Sequence, residues 1–210
     1  MDLPKPNLRK NMKKIVTTAL AAVFAIACST AKEVGKPAPE FTGTTLTGEE
    51  VSLSDFKGKV VVLEWVNFDC PFVKKHYSAS GNMGKLQEKY AAKDVVWLTI
   101  CSSAEGKQGH AEASAQAERA KKEGHKAPHF IADTDGTIGR AYDAKVTPHM
   151  FVINKEGVLV YNGAIDSMST TSADDVEKAE PWLANAIDAV LAGEEVQNAT
   201  NRPYGCSVKY

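Results

Sequence analysis

Residues 60–66, VVVLEWV, form a continuous apolar and β-branched run of the kind found in strands buried on both faces of a sheet. A strand of that type needs covering layers on both sides, which constrains the rest of the chain. Two more such segments follow, DVVWLTICS at 94–102 and HFIAD at 129–133. The chain between them reads as helix. Residues 72–92 carry Leu86 and Tyr90 four apart, with an expected break or kink near Gly81 and Gly84, and the Ala-rich, charged stretch 106–126 ends in a glycine. TIGRAYDA is a short helix or turn, MFVINKEGVLVYNG is a β-hairpin turning at Asn154 to Gly157, and residues 175–196 give a final helix with Leu183, Ile187 and Leu191 on one face. Upstream, LTGEEVSL reads as a hairpin leading into the main sheet. Strands alternating with helices and closed by a hairpin argue an α/β fold: a mostly parallel sheet with an antiparallel edge.

The 210 residues carry a formal net charge of −1, and no Lys/Arg blocks interleave with aromatics, which argues against a nucleic-acid surface. The amino terminus reads as a targeting segment: RKNMKK is a positive region, and the uncharged IVTTALAAVFAIA ends just before Cys28. That run falls short of the ~20 apolar residues needed to span a bilayer. FAIAC resembles a lipobox, so two processing routes stay open. Either Cys28 is lipidated and becomes the mature amino terminus, or cleavage is the ordinary kind after Ala-Ile-Ala or a few residues later. The signal is complete from Met12, so the residues before it read as an unused upstream start. The expected organisation is a signal and upstream extension over 1–31, one domain over 32–195, and a tail over 196–210 that carries Cys206.

Four cysteines, Cys28, Cys70, Cys101 and Cys206, are too few for a disulfide scaffold. Cys70 stands between the 60–66 strand and the helix after it. A cysteine at the first turn of a helix meets unpaired backbone N–H groups and the positive end of the macrodipole, which favour its thiolate. Pro71 suits the first helical position. Lys74, Lys75 and His76 add positive potential, whereas an ionised Asp69 opposes it. The thiolate is the nucleophile of redox chemistry; the plainer alternative is a structural core cysteine.

The segment from VGKPAPEF through FDCPFVKKHY, the DVVWLTI strand and KVTPHMFVINKEGVLVYNGAID, in that order from about Val34 to Asp166, resembles the redoxin (AhpC/TSA, peroxiredoxin-like) branch of the thioredoxin superfamily, in its single active-site cysteine subgroup. The resemblance implies a thioredoxin-like fold, with a central mixed sheet flanked by helices and an amino-terminal β-hairpin extension. It makes Cys70 the nucleophile and Thr147-Pro148 a cis-proline turn that faces it and positions the substrate. Two departures matter. Val73 replaces the second cysteine of a thioredoxin Cys-x-x-Cys, which excludes dithiol exchange within that motif. Leu63 and Asn67 occupy the places of the peroxiredoxin Pro and Thr, and no arginine starts the MFVIN strand, leaving Asn67 to hydrogen-bond a peroxide.

Oxidised Cys70 needs a second thiol. Cys206, in the polar tail YGCSVKY, is the preferred resolving partner, with a structural disulfide or an idle thiol as alternatives; Cys101, at the end of the 94–101 strand, reads first as a core cysteine. The leading function is thus that of an exported, thiol-dependent reductase of hydroperoxides that needs a thiol reductant and no cofactor. Thiol-disulfide exchange on exported proteins is the alternative. A copper chaperone using Cys70, His76 and His149, or a non-catalytic binding module, is the reading from another class. Placement is the periplasm or cell envelope, with membrane attachment if Cys28 carries lipid. His110, His125 and His129 read as solvated or capping residues, DTDG at 133–136 as a turn, and the tryptophans as core.

Overall fold

The computed structural model describes residues 1–2 and 33–210; the expected signal segment from residue 3 onward, with Cys28, lies outside the described residues. A five-stranded sheet runs in the order β5-β4-β3-β7-β8. In it β3 (Val61–Trp65) pairs in parallel with β4 (Val96–Cys101), and β4 with β5 (His129–Ala132). On the other side β3 pairs antiparallel with β7 (His149–Ile153), which turns back into β8 (Leu159–Gly163) through Asn154–Gly157. The expected mixed sheet and its antiparallel edge are present. The amino-terminal hairpin, β1 (Thr42–Thr44) with β2 (Glu50–Ser52), forms a separate two-stranded sheet.

Every residue of β3 is buried, and the alternation of a strand assigns them to two cores. Val61, Leu63 and Trp65 join Leu98, Ile100, Phe151, Ile138 and Tyr142 on one face. Val62 joins Trp97, Val152, Tyr77, Tyr90, Leu183 and Ile187 on the other. The helices meeting these faces are α1 (Pro71–Lys74), continued by a π-helical turn over Lys75–Ala79, α2 (Asn82–Ala91), α3 (Ala113–Glu123), α4 (Thr137–Tyr142) and α5 (Trp182–Ala192).

The expected break falls at Gly81, whose φ of +66° suits glycine. Gly84 has another role: it lies inside α2, where a Cβ would come to 2.6 Å from the Gly124 carbonyl, so its lack of a side chain lets α2 approach the end of α3. The last helix begins at Trp182 rather than near 175, because Pro181 lacks the N–H that a helix continuing through it would require. The tail 196–210 is no free arm. It crosses the domain surface, with Asn162 N–H donating to the Ala199 carbonyl, Ala104 N–H to the Lys209 carbonyl and the Tyr210 hydroxyl to the Ala144 carbonyl. Within it β9 (Cys206–Ser207) pairs antiparallel with β6 (Val146–Thr147).

Glu64 and three histidines carry displaced pKa values. Glu64, fully buried on β3, accepts from Tyr77, Gln87 and Trp97 at 2.7, 3.1 and 2.8 Å, yet burial outweighs these bonds and pushes its carboxyl up to about 7. His76, His125 and His149 are each lowered to about 4, chiefly by burial. In place of the expected solvated or capping role, His125 bonds to Thr99 at 2.8 Å, stacks on Tyr77 and packs against Phe130. The signs differ. The unfolded chain binds more protons than the native state at the three histidines between pH 4 and 6.5, so their contribution to stability rises across that window. At Glu64 the native state holds the extra proton between pH 4.5 and 7, so its contribution falls there. Three histidines against one carboxyl give stability that rises from pH 4 to 6.5. Glu64→Gln removes the opposing contribution. Measured by urea unfolding, the variant's stability relative to the parent should therefore improve by on the order of 3 kcal/mol between pH 4.5 and 8; parallel pH profiles would refute the assignment.

Candidate functional site

The central strand β3 ends at Trp65, and the chain turns through Asn67–Asp69 into α1 with Cys70 as its N-cap residue and Pro71 first in the helix. The Asn67 side chain builds this turn: its Oδ1 accepts from Asp69 N–H at 2.9 Å and its amide donates to the Gln108 carbonyl at 3.1 Å. Asn67 is buried and held by the loop, with Gly109 packed against it, so its side chain serves the turn rather than an open substrate position. Asp69, the expected opposing charge, pairs with Arg119 of α3 at 2.6 Å. That bond holds its carboxyl below the usual range, and the guanidinium also stands 5.9 Å from the Phe68 ring centroid.

Cys70 is fully buried, and its thiol donates to the Thr147 carbonyl at 3.0 Å. Thr147-Pro148 is a cis peptide, as the resemblance implied. The tail completes the site from above. Cys206 is the register partner of Thr147, the residue whose carbonyl accepts from the Cys70 thiol, and it packs against the core cluster that contains Cys70. Burial, then the adjoining Cys70 thiol, push Cys206 up to about 11, so it remains protonated at neutral pH. Gly205 makes this approach feasible: with φ at +142° it passes directly over Thr147, and a Cβ there would collide with the Thr147 carbonyl and press on Pro148. Cys70, Thr147, Pro148 and Cys206, separated by up to 136 positions in sequence, thus meet at one point. Cys70, Cys101 and Cys206 are free thiols. Cys101 shares the core with Cys70 but directs its sulfur at the Gly109 carbonyl, 3.7 Å away, and burial pushes its thiol up.

Lys75 and His76 do not provide the free positive potential expected of them. Lys75 is fully buried and donates to Asp166 at 3.2 Å and to the Met168 carbonyl at 2.7 Å. His76 Nδ1 accepts from the Asn82 amide at 3.0 Å, and its Nε2 meets the Tyr204 hydroxyl at 3.1 Å. The Tyr204 hydroxyl in turn donates to Asp166. His149 is likewise occupied, accepting from Lys145 N–H and donating to Asn162. The two histidines of the copper alternative therefore have both ring nitrogens bonded to protein, and among the described residues no group of three or more His, Cys, Asp or Glu is arranged to hold a metal ion.

Sequence reading missed Glu64, Asp166, Arg119 and Tyr204. A lone carboxylate inside the apolar run VVVLEWV was a readable signal for Glu64, because a buried charge needs partners. Nothing local marks the other three, whose partners are brought by the fold from distant parts of the chain.

A family model described as Redoxin matches residues 33–180. The chain is 30% identical over 128 residues to the thiol-disulfide oxidoreductase ResA of Bacillus thuringiensis subsp. konkukian, covering 61% of this chain and 68% of that one. It is 49% identical over 51 residues to peroxiredoxin-2 of Bos taurus, a match to 23% of this chain that spans only 26% of the relative. The crystal structure of an uncharacterized conserved protein from Geobacillus kaustophilus superposes with a TM-score of 0.71 at 25% identity, covering 85% of this chain and 92% of that one. A thioredoxin-like sheet, a cysteine capping the helix after its central strand, and a cis-proline facing that cysteine agree with these matches: the chain belongs to the redoxin family of the thioredoxin superfamily.

Proposed function

We propose that this protein is a thiol-based oxidoreductase whose redox pair is Cys70, the nucleophile, and Cys206, the resolving thiol. The observation that carries this reading is the seat of Cys206 against Thr147, the same residue whose carbonyl accepts from the Cys70 thiol. The missing second cysteine of the helix is thereby supplied by the tail.

Thiol-disulfide exchange is the activity this geometry supports best. The Cys70 thiolate attacks one sulfur of a substrate disulfide, forming a mixed disulfide and releasing the other sulfur as a thiolate that takes up a proton. Cys206 then gives up its proton and attacks the Cys70 sulfur, which releases the substrate's second thiol and leaves a Cys70–Cys206 disulfide. Two electrons have passed to the substrate, and an external thiol reductant restores the pair. Hydroperoxide reduction is the second reading, favoured by the stretch shared with peroxiredoxin-2. There the thiolate takes one peroxide oxygen, becomes a sulfenic acid and releases an alcohol or water; Cys206 condenses with it, releasing water and forming the same disulfide. Asn67, the side chain expected to orient a peroxide, is engaged in its own loop.

Export to the cell envelope completes the proposal, resting on the basic and apolar pattern before Cys28. Attachment in this reading comes from lipid on Cys28, the cysteine of the lipobox-like FAIAC. Fractionation of cells that express the full chain, with mass analysis of its amino terminus, should find a processed envelope protein. An uncleaved cytoplasmic chain would remove this part of the proposal.

The redox pair is tested by exposing the reduced protein to one equivalent of oxidised glutathione or of hydrogen peroxide and mapping peptides without reductant. A Cys70–Cys206 disulfide is expected. Cys206→Ser should accumulate the Cys70–glutathione adduct, and Cys70→Ser should lose at least about 100-fold in turnover. The faster oxidant separates exchange from peroxide reduction, and a Cys70 that stays a free thiol under both would overturn the proposal. Gly205→Ala, which forces the tail off Thr147, should slow the second step about tenfold or more, because it lowers the effective concentration of Cys206. Unchanged closure of the disulfide would show that the glycine is dispensable.

A further inference from the structure

Cys70 is fully buried, yet the proposed chemistry requires a substrate to reach it. The cover is the tail, and what holds the cover is chemically specific. Two residues before Cys206, the Tyr204 ring packs 5.7 Å from Phe72, and its hydroxyl enters a closed cluster built on the Cys70 helix and on the segment after β8. Two bonded residues span no more than about 7 Å, so fixing Tyr204 fixes where Cys206 can be. Beyond Cys206 the tail is held again, where Val208 N–H donates to the Lys145 carbonyl at 3.0 Å.

The cluster has a defined proton arrangement. With His76 Nδ1 facing the Asn82 amide, His76 Nε2–H donates to the Tyr204 hydroxyl, and that hydroxyl donates to Asp166 Oδ1. Asp166 Oδ1 also accepts from Met168 N–H at 3.0 Å, while Lys75 occupies Oδ2. The hydroxyl therefore accepts from His76 and, at 3.5 Å, from Lys75, and donates to Asp166. Its removal takes away the acceptor 3.1 Å from His76 Nε2, leaving only Asp166 Oδ2 at 3.7 Å, and leaves Asp166 short of a donor. That penalty applies only while the tail is seated, since an open tail admits water to both groups.

We propose that Tyr204 is the positioning residue for Cys206: held by Lys75, His76 and Asp166, it seats the tail so that Cys206 meets Cys70 and Cys70 is closed to solvent. This rests on the reading of Cys70 and Cys206 as the redox pair. The relevant equilibrium is Cys70–SH and Cys206–SH with glutathione disulfide, giving the Cys70–Cys206 disulfide and two glutathione thiols. The disulfide holds the tail down, whereas the dithiol form can release it. A weaker seat therefore raises the energy of the disulfide form more than that of the dithiol form, which escapes part of the penalty by releasing the tail.

The test uses Tyr204→Phe in the full chain, which retains the ring against Phe72, made both in the parent and in Cys206→Ser, with the fold of each variant checked by circular dichroism. In glutathione buffers the equilibrium constant for the parent disulfide should fall about tenfold with Tyr204→Phe, a rise in potential of about 30 mV. In the Cys206→Ser background, where no disulfide with the tail is possible, Tyr204→Phe should raise the rate of Cys70 alkylation by iodoacetamide about tenfold. Asp166→Asn should act in the same direction, and Tyr210→Phe, which loses only the bond to the Ala144 carbonyl, should change neither readout by more than twofold. Tyr204→Phe leaving both the potential and the alkylation rate within twofold of the parent overturns the positioning role. Failure of the parent itself to form the disulfide instead overturns the reading on which the role rests.

Discussion

A lysine ammonium with no exposure to solvent is costly unless its charge is matched, and Lys75 sits fully buried on the turn that follows Cys70. Its match, Asp166, comes from the far side of the β7–β8 hairpin, so the pair ties the nucleophile's helix to the opposite edge of the sheet. The ion pair alone does not satisfy either group. The Met168 carbonyl takes a second lysine proton, and the Tyr204 hydroxyl and Met168 N–H take the remaining carboxylate oxygen. Removing one partner of such a buried pair costs about 3–5 kcal/mol. Both ends of the site, the cysteine on its helix and the cysteine on its tail, are registered to this one pair.

The π-helical turn over Lys75–Ala79 explains how adjacent residues can serve different networks. In it Lys75, His76 and Tyr77 are all buried, which three consecutive residues of an exposed-face helix could not be. Lys75 and His76 reach Asp166 and the tail, while Tyr77 donates to Glu64 on β3 at 2.7 Å. The helix that presents Cys70 is thereby bonded to the central strand below it and to the tail beside it. Each contact is directional, so the position of Cys70 over Thr147 is set by hydrogen bonds as well as by packing.

Much of the fold was legible because its signals are local. VVVLEWV reads as a two-sided strand since β-branched residues occupy both faces, and it became the centre of the sheet. The Asn154–Gly157 turn is encoded by residues that themselves close it, Asn154 Oδ1 accepting from Glu156 and Val158 N–H. Helix limits were less legible where charged, helix-favouring residues precede a proline, as DVEKAE does before Pro181. At the site, Cys70 and Pro71 were readable from their position at a strand-helix junction, and Thr147-Pro148 only through family resemblance. Lys75 and His76 carried the right residue types but the wrong surroundings: nothing in KKHY reveals that Asp166 and Tyr204, 91 and 128 positions on, will enclose them.

Placing the second thiol on a tail instead of in the helix changes the physics of the pair. In a Cys-x-x-Cys helix turn the two sulfurs are held near one another by the backbone whatever surrounds them. Here Val73 fills that place, fully buried in the core, and the second sulfur is near the first only while a separate strand pairs with Val146 and Thr147. That strand contributes only a two-residue ladder, and a ladder so short has little stability of its own. Its persistence must come from side chains at its borders, where Tyr204 enters a buried polar cluster and Arg140 lies over the Tyr210 ring at 4.3 Å. In such an arrangement the meeting of the two thiols depends on tail seating, so any group that binds in place of β9 on the edge of β6 competes with Cys206 for Cys70.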